Sequence, residues 1–309
     1  MERGKGRVFK STGSWYELET EQGERLKARV KGKMRLAESK LTNPIAVGDW
    51  VRFEMEPGKG TAVISQVEER ENYLIRRSPH KAEHAHIIAS NIDLAAVMVT
   101  LSQPRTSQGF IDRFLVLAES FRIPALVIFN KSDLYTDDEL LEKDRLCLLY
   151  GQLGYCTLFI SAEKGEGVAS LREMLAGKTT LLSGHSGVGK STLLNLLVPD
   201  THQKTAAISS FANKGTHTTT FAEMFRIDDG TLLIDTPGIK ELGLIDTEAE
   251  EISHYFPEMR ELIGHCRFHN CLHVNEPGCA LRHGLEKGTI DPSRYKSYLS
   301  MVLGEDNRR

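Results

Sequence analysis

A glycine-rich segment in the middle of the chain, GHSGVGKS at residues 184–191, limits the fold more than any other feature of the sequence. It matches the pattern G-x-x-x-x-G-K-[S/T] and lies between an apolar run typical of a strand and one typical of a helix. In that context the glycines let backbone N–H groups close around phosphates, and the positive end of the helix adds to the attraction. The segment therefore predicts an α/β domain that binds a nucleotide.

Two segments supply the predicted phosphate and Mg²⁺ ligands. The first contributes Gly184, His185, Ser186, Gly187, Val188, Gly189, Lys190, Ser191 and Thr192. Lys190 is expected to neutralise charge on the β- and γ-phosphates, and Ser191 to bind Mg²⁺ through its hydroxyl. The second, DTPG, ends another apolar strand, where ligands of such sheets gather. We expect Asp235 to reach Mg²⁺ through water and the Gly238 N–H to contact the γ-phosphate.

The segment NKSD follows an apolar strand some fifty residues before the phosphate loop. The predicted base-binding residues are Asn130, Lys131, Ser132, Asp133, Ser161 and Ala162. The Asp133 carboxylate can accept hydrogen bonds from guanine N1–H and the 2-amino group, a pair that adenine does not offer. Lys131 is expected along the base plane, Asn130 to tie this loop to the phosphate loop, and residues 161–162 to donate to guanine O6. The predicted ligand is GTP or GDP rather than ATP.

The chain divides into three predicted domains. Residues 1–71 contain short strand-like runs separated by turns, which indicate a small all-β barrel of the oligonucleotide-binding (OB) type. Residues 72–245 alternate long apolar strands with helical patterns, which predicts an α/β P-loop domain with a doubly wound parallel sheet. Residues 246–309 are mostly helical, interrupted by a Cys/His cluster.

Positive charge is concentrated near the N-terminus. Residues 1–40 hold eleven Lys and Arg against six Asp and Glu, although the whole chain has a net charge of -3. With Phe9, Trp15 and Tyr16 nearby, this patch favours contact with an RNA backbone and stacking on its bases. A solvated barrel face whose aromatic side chains lie in the core explains the same pattern.

The Cys/His cluster has the composition of a structural zinc site. Its spacing is Cys266-x4-Cys271-x-His273-x5-Cys279. Three thiolates and one imidazole make a full tetrahedral set for one Zn²⁺, with no open catalytic position. The spacing departs from the usual C-x2-C pattern, and His265, His269 and His283 are alternatives to His273.

Other features bound the location of the protein and its association with partners. Five cysteines, an odd number, argue against a disulfide framework, and Cys147 and Cys156 are expected to be buried thiols. The apolar run 94–101 is too short to cross a bilayer, and the charged N-terminus lacks a secretory signal. We expect a cytoplasmic protein that does not bind membranes. In the absence of a coiled-coil pattern, a monomer is the default.

The joint order of the motifs carries a family resemblance. Along the chain, NKSD, SA, GHSGVGKS, GTHTTT and DTPG are guanine-nucleotide motifs four, five, one, two and three, an order that resembles a circularly permuted GTPase. With the barrel and the Cys/His cluster, the whole chain resembles the RsgA family. The resemblance implies binding to the small (30S) ribosomal subunit and its rRNA during late maturation, subunit-stimulated GTP hydrolysis, and zinc at the four cluster residues.

The resemblance also implies roles in the switch segment before DTPG. Thr219, with Thr218 and Thr220 as alternatives, is expected to complete the Mg²⁺ shell in the GTP state. Many GTPases carry a water-orienting Gln where this chain has Ile239. His217 is therefore the predicted water-positioning residue, catalytic together with Lys190, although an exposed loop histidine is the simpler interpretation. Slow intrinsic turnover follows from the missing Gln.

Three other functions compete with a ribosome-stimulated GTPase. In an RNA-binding assembly scaffold, GTP would act only as a conformational ligand, and blocking hydrolysis would leave function intact. A permuted GTPase of the large subunit, similar to the YlqF group, does not explain the barrel and the Cys/His cluster. A metabolic kinase would leave NKSD and DTPG without a role.

Overall fold

A computed structural model describes residues 3–30, 44–77, 85–198, 222–236 and 247–304 of the 309. The chain forms two compact units. The first consists of Met1–Ala96, Ala169–Gly184 and Lys190–Ile245, and the second of Val97–Val168, His185–Gly189 and Asp246–Arg309.

The regular elements below are numbered in chain order. The strands are β1 (Arg3–Ser11), β2 (Tyr16–Thr20), β3 (Arg25–Val30), β4 (Trp50–Met55), β5 (Thr61–Val67), β6 (Tyr73–Arg77), β7 (Ala85–Ser90), β8 (Leu94–Val99), β9 (Ala125–Phe129), β10 (Cys156–Phe159), β11 (Thr179–Ser183), β12 (Glu223–Asp228) and β13 (Thr231–Asp235). The α-helices are α1 (Gln108–Ser120), α2 (Asp137–Gln152), α3 (Val168–Leu175), α4 (Lys190–Leu197), α5 (Pro257–Arg260), α6 (Ala280–Glu286) and α7 (Pro292–Val302), with 3₁₀ turns at Ser132–Leu134 and Ile252–Tyr255.

The first unit contains a closed barrel built from β1 to β5. β1 pairs with β2 and β2 with β3 in antiparallel fashion, and β3 then pairs in parallel with β5. β4 pairs antiparallel with both β5 and β1, which closes the barrel. Inward-facing side chains such as Val8, Leu18 and Ile64 are fully buried in one core. This strand order confirms the predicted OB-type barrel.

The three aromatic residues near the N-terminus have different environments. Phe9 and Tyr16 are 1% and 4% exposed and belong to the interior, whereas Trp15 is 45% exposed. Phe9 and Tyr16 are therefore not available to stack on RNA bases, and for these two residues the interpretation that the aromatic side chains lie in the interior holds. Only Trp15, in the loop between β1 and β2, presents its ring to solvent.

The rest of the sheet in the first unit is mixed rather than purely parallel. β11 and β13 are parallel, but β12 is antiparallel to β13 and also to the barrel strand β1. The two-residue turn Asp229–Gly230 joins β12 to β13, and so short a connection can only produce an antiparallel pair. The predicted doubly wound parallel sheet thus acquires an antiparallel strand.

The second unit combines parallel strands with capped helices. β9 and β10 are parallel. The Ser107 hydroxyl accepts a hydrogen bond from the Phe110 N–H at the start of α1, and Thr136 and Glu139 form a reciprocal capping box at the start of α2. Asp291 caps α7, with a proline in its first turn. These local signals fix the residues at which the three helices begin.

Two further expectations concern thiols and membranes. Cys156 is exposed at the start of β10, so the prediction of a buried thiol is wrong there. Cys147 is half-buried, with its Sγ 3.2 Å from Thr157 Oγ1. Among the described residues, no helix combines the length and apolar character that a bilayer span requires.

Candidate nucleotide site and metal centre

The phosphate loop connects β11 to α4 through glycines with positive φ angles. Gly184, Gly187 and Gly189 have φ values of +145°, +87° and +102°, a region that favours glycine. A β-carbon at Gly189 would lie 2.3 Å from the Asn130 amide nitrogen. Any other residue at 189 would therefore separate this loop from the NKSD loop.

Asn130 joins three loops of the second unit. Its Nδ2 donates to the Val188 carbonyl at 2.8 Å, and its Oδ1 accepts from the Ala162 N–H at 2.9 Å. Asn130 is buried, so these bonds replace those that water would otherwise make. The NKSD and SA segments and the middle of the phosphate loop are thus brought together by one side chain, as its place in the sequence predicts.

Within the NKSD segment, the Asp133 carboxylate has oxygen atoms that are still open to hydrogen-bond donors. Lys131 takes a left-handed backbone conformation and donates to the Gln103 carbonyl. The Asp133 side chain is 9% exposed, and its Oδ2 lies 3.9 Å from Lys164 Nζ. Within the described residues this carboxylate makes no hydrogen bond. The N1–H and 2-amino groups of a guanine base are two donors that suit this carboxylate.

In the first unit, the half-buried side chains of Lys190 and Asp235 form a pair of opposite charges. Lys190 Nζ donates to the Gly184 carbonyl at 2.5 Å. Burial raises the pKa of Asp235 to about 6, although Lys190 opposes the shift, and burial lowers the pKa of Lys190. Asp235 Oδ1 is buried without a hydrogen-bond partner among the described residues. An unsatisfied carboxylate oxygen of this kind fits an Mg²⁺ ion, directly or through a bound water.

The raised pKa of Asp235 predicts a trade-off between stability and function. The Asp235 carboxyl has a pKa of about 6 in the folded chain and about 3.8 in the unfolded chain. The protein therefore loses stability as the pH rises between these two values, because the folded chain must then hold a charged carboxylate away from water. Asp235→Asn should raise the free energy of unfolding of the nucleotide-free protein by about 1–2 kcal/mol at pH 8. The gain is limited to this size because the substitution also removes the attraction between Asp235 and Lys190. Denaturant unfolding at several pH values measures this, and the gain should disappear near pH 4. A variant that is less stable than the parent at pH 8 contradicts the assignment.

Three predicted site residues lie outside the described residues: His217, Thr219 and Gly238. Their roles in positioning water, Mg²⁺ and the γ-phosphate stay predictions.

The four residues of the Cys/His cluster converge in the second unit. The ligand atoms of Cys266, Cys271, His273 and Cys279 all lie within 4.8 Å of one another. The His273 Nδ1 is 3.4 Å from the sulfurs of both Cys266 and Cys279. Among the described residues, His265, His269 and His283 do not belong to this group. His273 is thus the imidazole that the structure places with the three sulfurs.

The chemistry of the cluster fits a divalent cation. Burial raises the pKa of the Cys271 thiol to about 12 and also raises that of Cys279. Burial lowers the pKa of His273, which keeps its imidazole neutral. Three crowded sulfurs become thiolates only if a cation compensates their charge, and zinc has this preference for sulfur and nitrogen.

The backbone around the cluster is fixed by its neighbours. The Glu276 carboxylate accepts from the N–H groups of Leu272, Val274 and Asn275. From α7, the Tyr295 hydroxyl donates to the His273 carbonyl at 2.6 Å and the Tyr298 hydroxyl to the Leu272 carbonyl at 2.8 Å. The loop that carries the Cys/His cluster is therefore attached to the last helix.

Sequence reasoning missed a buried charged network in the second unit. Arg294 is fully buried and donates to Asp112 at 2.7 Å and to Glu258 at 2.7 Å. These residues belong to no motif, and they are far apart in the chain. The one signal available was an arginine in a helical run that also holds Lys296, and this is too weak to predict a network.

Comparisons with known proteins identify the family. Two family models match the chain. The model of the RsgA N-terminal domain matches residues 5–64, and the model of the RsgA GTPase matches residues 67–245. The chain belongs to the RsgA family. Proteins named small ribosomal subunit biogenesis GTPase RsgA include that of Bacteroides fragilis, 51% identical over 96% of both chains, and that of Christiangramia forsetii, 49% identical over 98% of this chain and 96% of the other.

Solved structures of similar chains agree. YjeQ from Thermotoga maritima is 35% identical, covers 100% of both chains and gives a TM-score of 0.77. YloQ, described as a circularly permuted GTPase, is 28% identical over 100% of this chain and 96% of that chain, with a TM-score of 0.74. The predicted RsgA resemblance, permuted motif order and GTPase class are confirmed.

Proposed function

We propose that this RsgA-family GTPase binds the small ribosomal subunit, assists its late maturation and hydrolyses GTP when docked there. The main support for a guanine-nucleotide site is the pair of hydrogen bonds made by Asn130. They bring together the NKSD loop, the SA segment and the phosphate loop, which are dispersed in the sequence. The names of the relatives support the ribosomal partner.

The proposed site residues are those of the sequence motifs. Asp133 reads the base, the phosphate loop holds the phosphates, and Lys190 compensates their charge. Ser191 and Asp235, together with Thr219, would hold Mg²⁺, which neutralises charge that develops on the phosphates. His217 would position water, and the absence of a Gln after DTPG explains why turnover should depend on the subunit.

The flanking parts have separate proposed roles. The barrel, residues 1–71, would contact rRNA through the exposed Trp15, which shares a groove with Lys10 and Lys27. The GTPase domain would span 72–245, and 246–309 would form the zinc-binding domain. We infer a cytoplasmic protein, since GTP and ribosomal subunits are both found in the cytoplasm, and we keep the monomer as the default because the sequence has no coiled-coil pattern.

The deciding experiment measures GTP and ATP turnover by the purified protein alone, with small subunits and with large subunits, at two salt concentrations. We expect strong stimulation of GTP turnover by small subunits only, weaker at the higher salt because phosphate contacts are screened. Equal stimulation by large subunits would overturn the assignment to the small subunit. Full support of maturation by a hydrolysis-deficient Ser191→Ala variant would favour the scaffold function.

The zinc assignment predicts a specific loss. Purified protein should contain about one zinc per chain, and Cys271→Ser should lose most of it, because a structural site needs four ligands. Elemental mass spectrometry measures the content, and hydrogen exchange over residues 265–280 should increase in the variant. Cys156→Ser and His269→Ala are the matched controls and should retain zinc. Retention by Cys271→Ser, or loss by His269→Ala, would contradict the ligand set.

A further inference from the structure

One side of the phosphate loop rests on the start of α1. The ring centroids of Phe110 and His185 are 3.9 Å apart, with the planes inclined by 33°. Phe110 is fully buried and His185 half-buried. Nearby, a β-carbon at Gly187 would lie 3.4 Å from Pro104 Cδ, in the turn that leads into α1. The loop between His185 and Gly189 therefore has Asn130 as one neighbour and Phe110 as another.

The position of α1 is itself fixed by the last helix. Asp112 lies two residues after Phe110 in α1 and is fully buried. Its carboxylate accepts hydrogen bonds from Arg294 at 2.7 Å, from Tyr150 at 2.9 Å and from Ser297 at 2.5 Å. Charged groups without access to water need such a complete set of partners, because each missing bond leaves a desolvated charge unpaired. Small displacements of α1 relative to α7 are consequently unfavourable.

We propose that Phe110 is a positioning residue for the phosphate loop. Phe110 holds the His185 ring in place, and thereby keeps the backbone N–H groups of the loop in the geometry that binds phosphate. The Asp112–Arg294 pair fixes α1, so α7 contributes to nucleotide affinity without touching the nucleotide. This inference rests on the proposed function, since it assumes that the loop binds GTP and GDP. Its physical basis is preorganisation, because a loop already held in place loses less freedom when the ligand binds.

A double-mutant cycle tests the contact directly. N-methylanthraniloyl-GDP is titrated into the full-length protein, into Phe110→Leu, into His185→Ala and into the double variant. Each single substitution should weaken binding by about 2- to 12-fold, the range that corresponds to one aromatic pair. The double variant should be no weaker than the weaker single variant, because both remove the same contact. His185→Phe keeps a ring at this position and should therefore lose less affinity than His185→Ala.

Phe114→Leu is the matched control for loss of core packing. Phe114 lies one turn further along α1, is 1% exposed and receives the same substitution. It should lower the melting temperature about as much as Phe110→Leu while leaving nucleotide affinity unchanged. Ser297→Ala, which removes one bond to Asp112, should weaken binding by a smaller factor in the parent and not at all in the His185→Ala background.

Three results would overturn the inference: unchanged affinity in both single variants, losses in the double variant that multiply, or an equal loss in Phe114→Leu. Each of these leaves guanine binding and ribosome stimulation intact, so the proposed function survives. If the parent chain itself fails to bind the GDP probe, the proposed function falls and this inference falls with it.

Discussion

Replacing Arg294 with alanine should lower the free energy of unfolding by about 3–5 kcal/mol, the usual effect of removing one member of a buried ion pair. The substitution leaves the carboxylates of Asp112 and Glu258 inside the second unit without their cation. Tyr150 and Ser297 can still donate to Asp112, but neither carries a charge. Such a loss is a large part of the stability of a typical domain.

Urea unfolding at pH 7 measures this effect, with Arg260→Ala as the matched control. Arg260 also pairs with a carboxylate of α1, that of Glu119, but its side chain is 51% exposed. A pair open to solvent contributes about 0–1 kcal/mol, so the control should remain close to the parent. Equal effects of the two substitutions would show that burial does not decide the strength of the Arg294 pairs.

Asp133→Asn should exchange one base preference for another. The Asn side chain offers an NH₂ donor where the carboxylate offered a second acceptor, so the 2-amino group of guanine meets a donor rather than an acceptor. We expect GTP affinity to fall by about 100-fold or more, because the mismatch leaves buried polar groups unpaired. Xanthosine triphosphate carries an oxygen at position 2 and should bind the variant better than the parent.

Competition titrations with GTP, xanthosine triphosphate and ATP on both proteins test this expectation. Asp138→Asn removes an exposed acid of α2 and serves as the charge-matched control. The control should keep the preference for GTP. Unchanged guanine selectivity in Asp133→Asn would remove NKSD from the base site.

The sequence predicted the loops that carry chemistry because each is specified locally. The φ angles of the phosphate loop follow from its glycines, and the link from Asn130 follows from a motif whose parts all end parallel strands. The four residues of the Cys/His cluster lie within a fourteen-residue segment, so their proximity was expected, but the sequence left His265, His269 and His283 as alternatives to His273.

Features that depend on distant pairing were not predictable in the same way. Asp112 and Arg294 are 182 positions apart, and nothing near either residue indicates the other. The contact of Phe110 with His185 has the same character. The antiparallel direction of β12 was, in contrast, specified locally, because the two-residue turn Asp229–Gly230 before β13 permits only an antiparallel pair.

The pairing of β12 with the barrel strand β1 has a practical consequence for dividing this protein into parts. β12 is bonded to β13 on one side and to β1 on the other, and Lys10 and Arg226 add ion pairs to Glu223 and Glu19 across that boundary. A chain shortened to begin at residue 72 would remove the β1 partner of Glu223 and leave the start of β12 unpaired on that side. Exposed strands of this kind recruit other chains. The isolated GTPase region should therefore self-associate more readily than the whole protein, which size-exclusion chromatography of the two chains would measure.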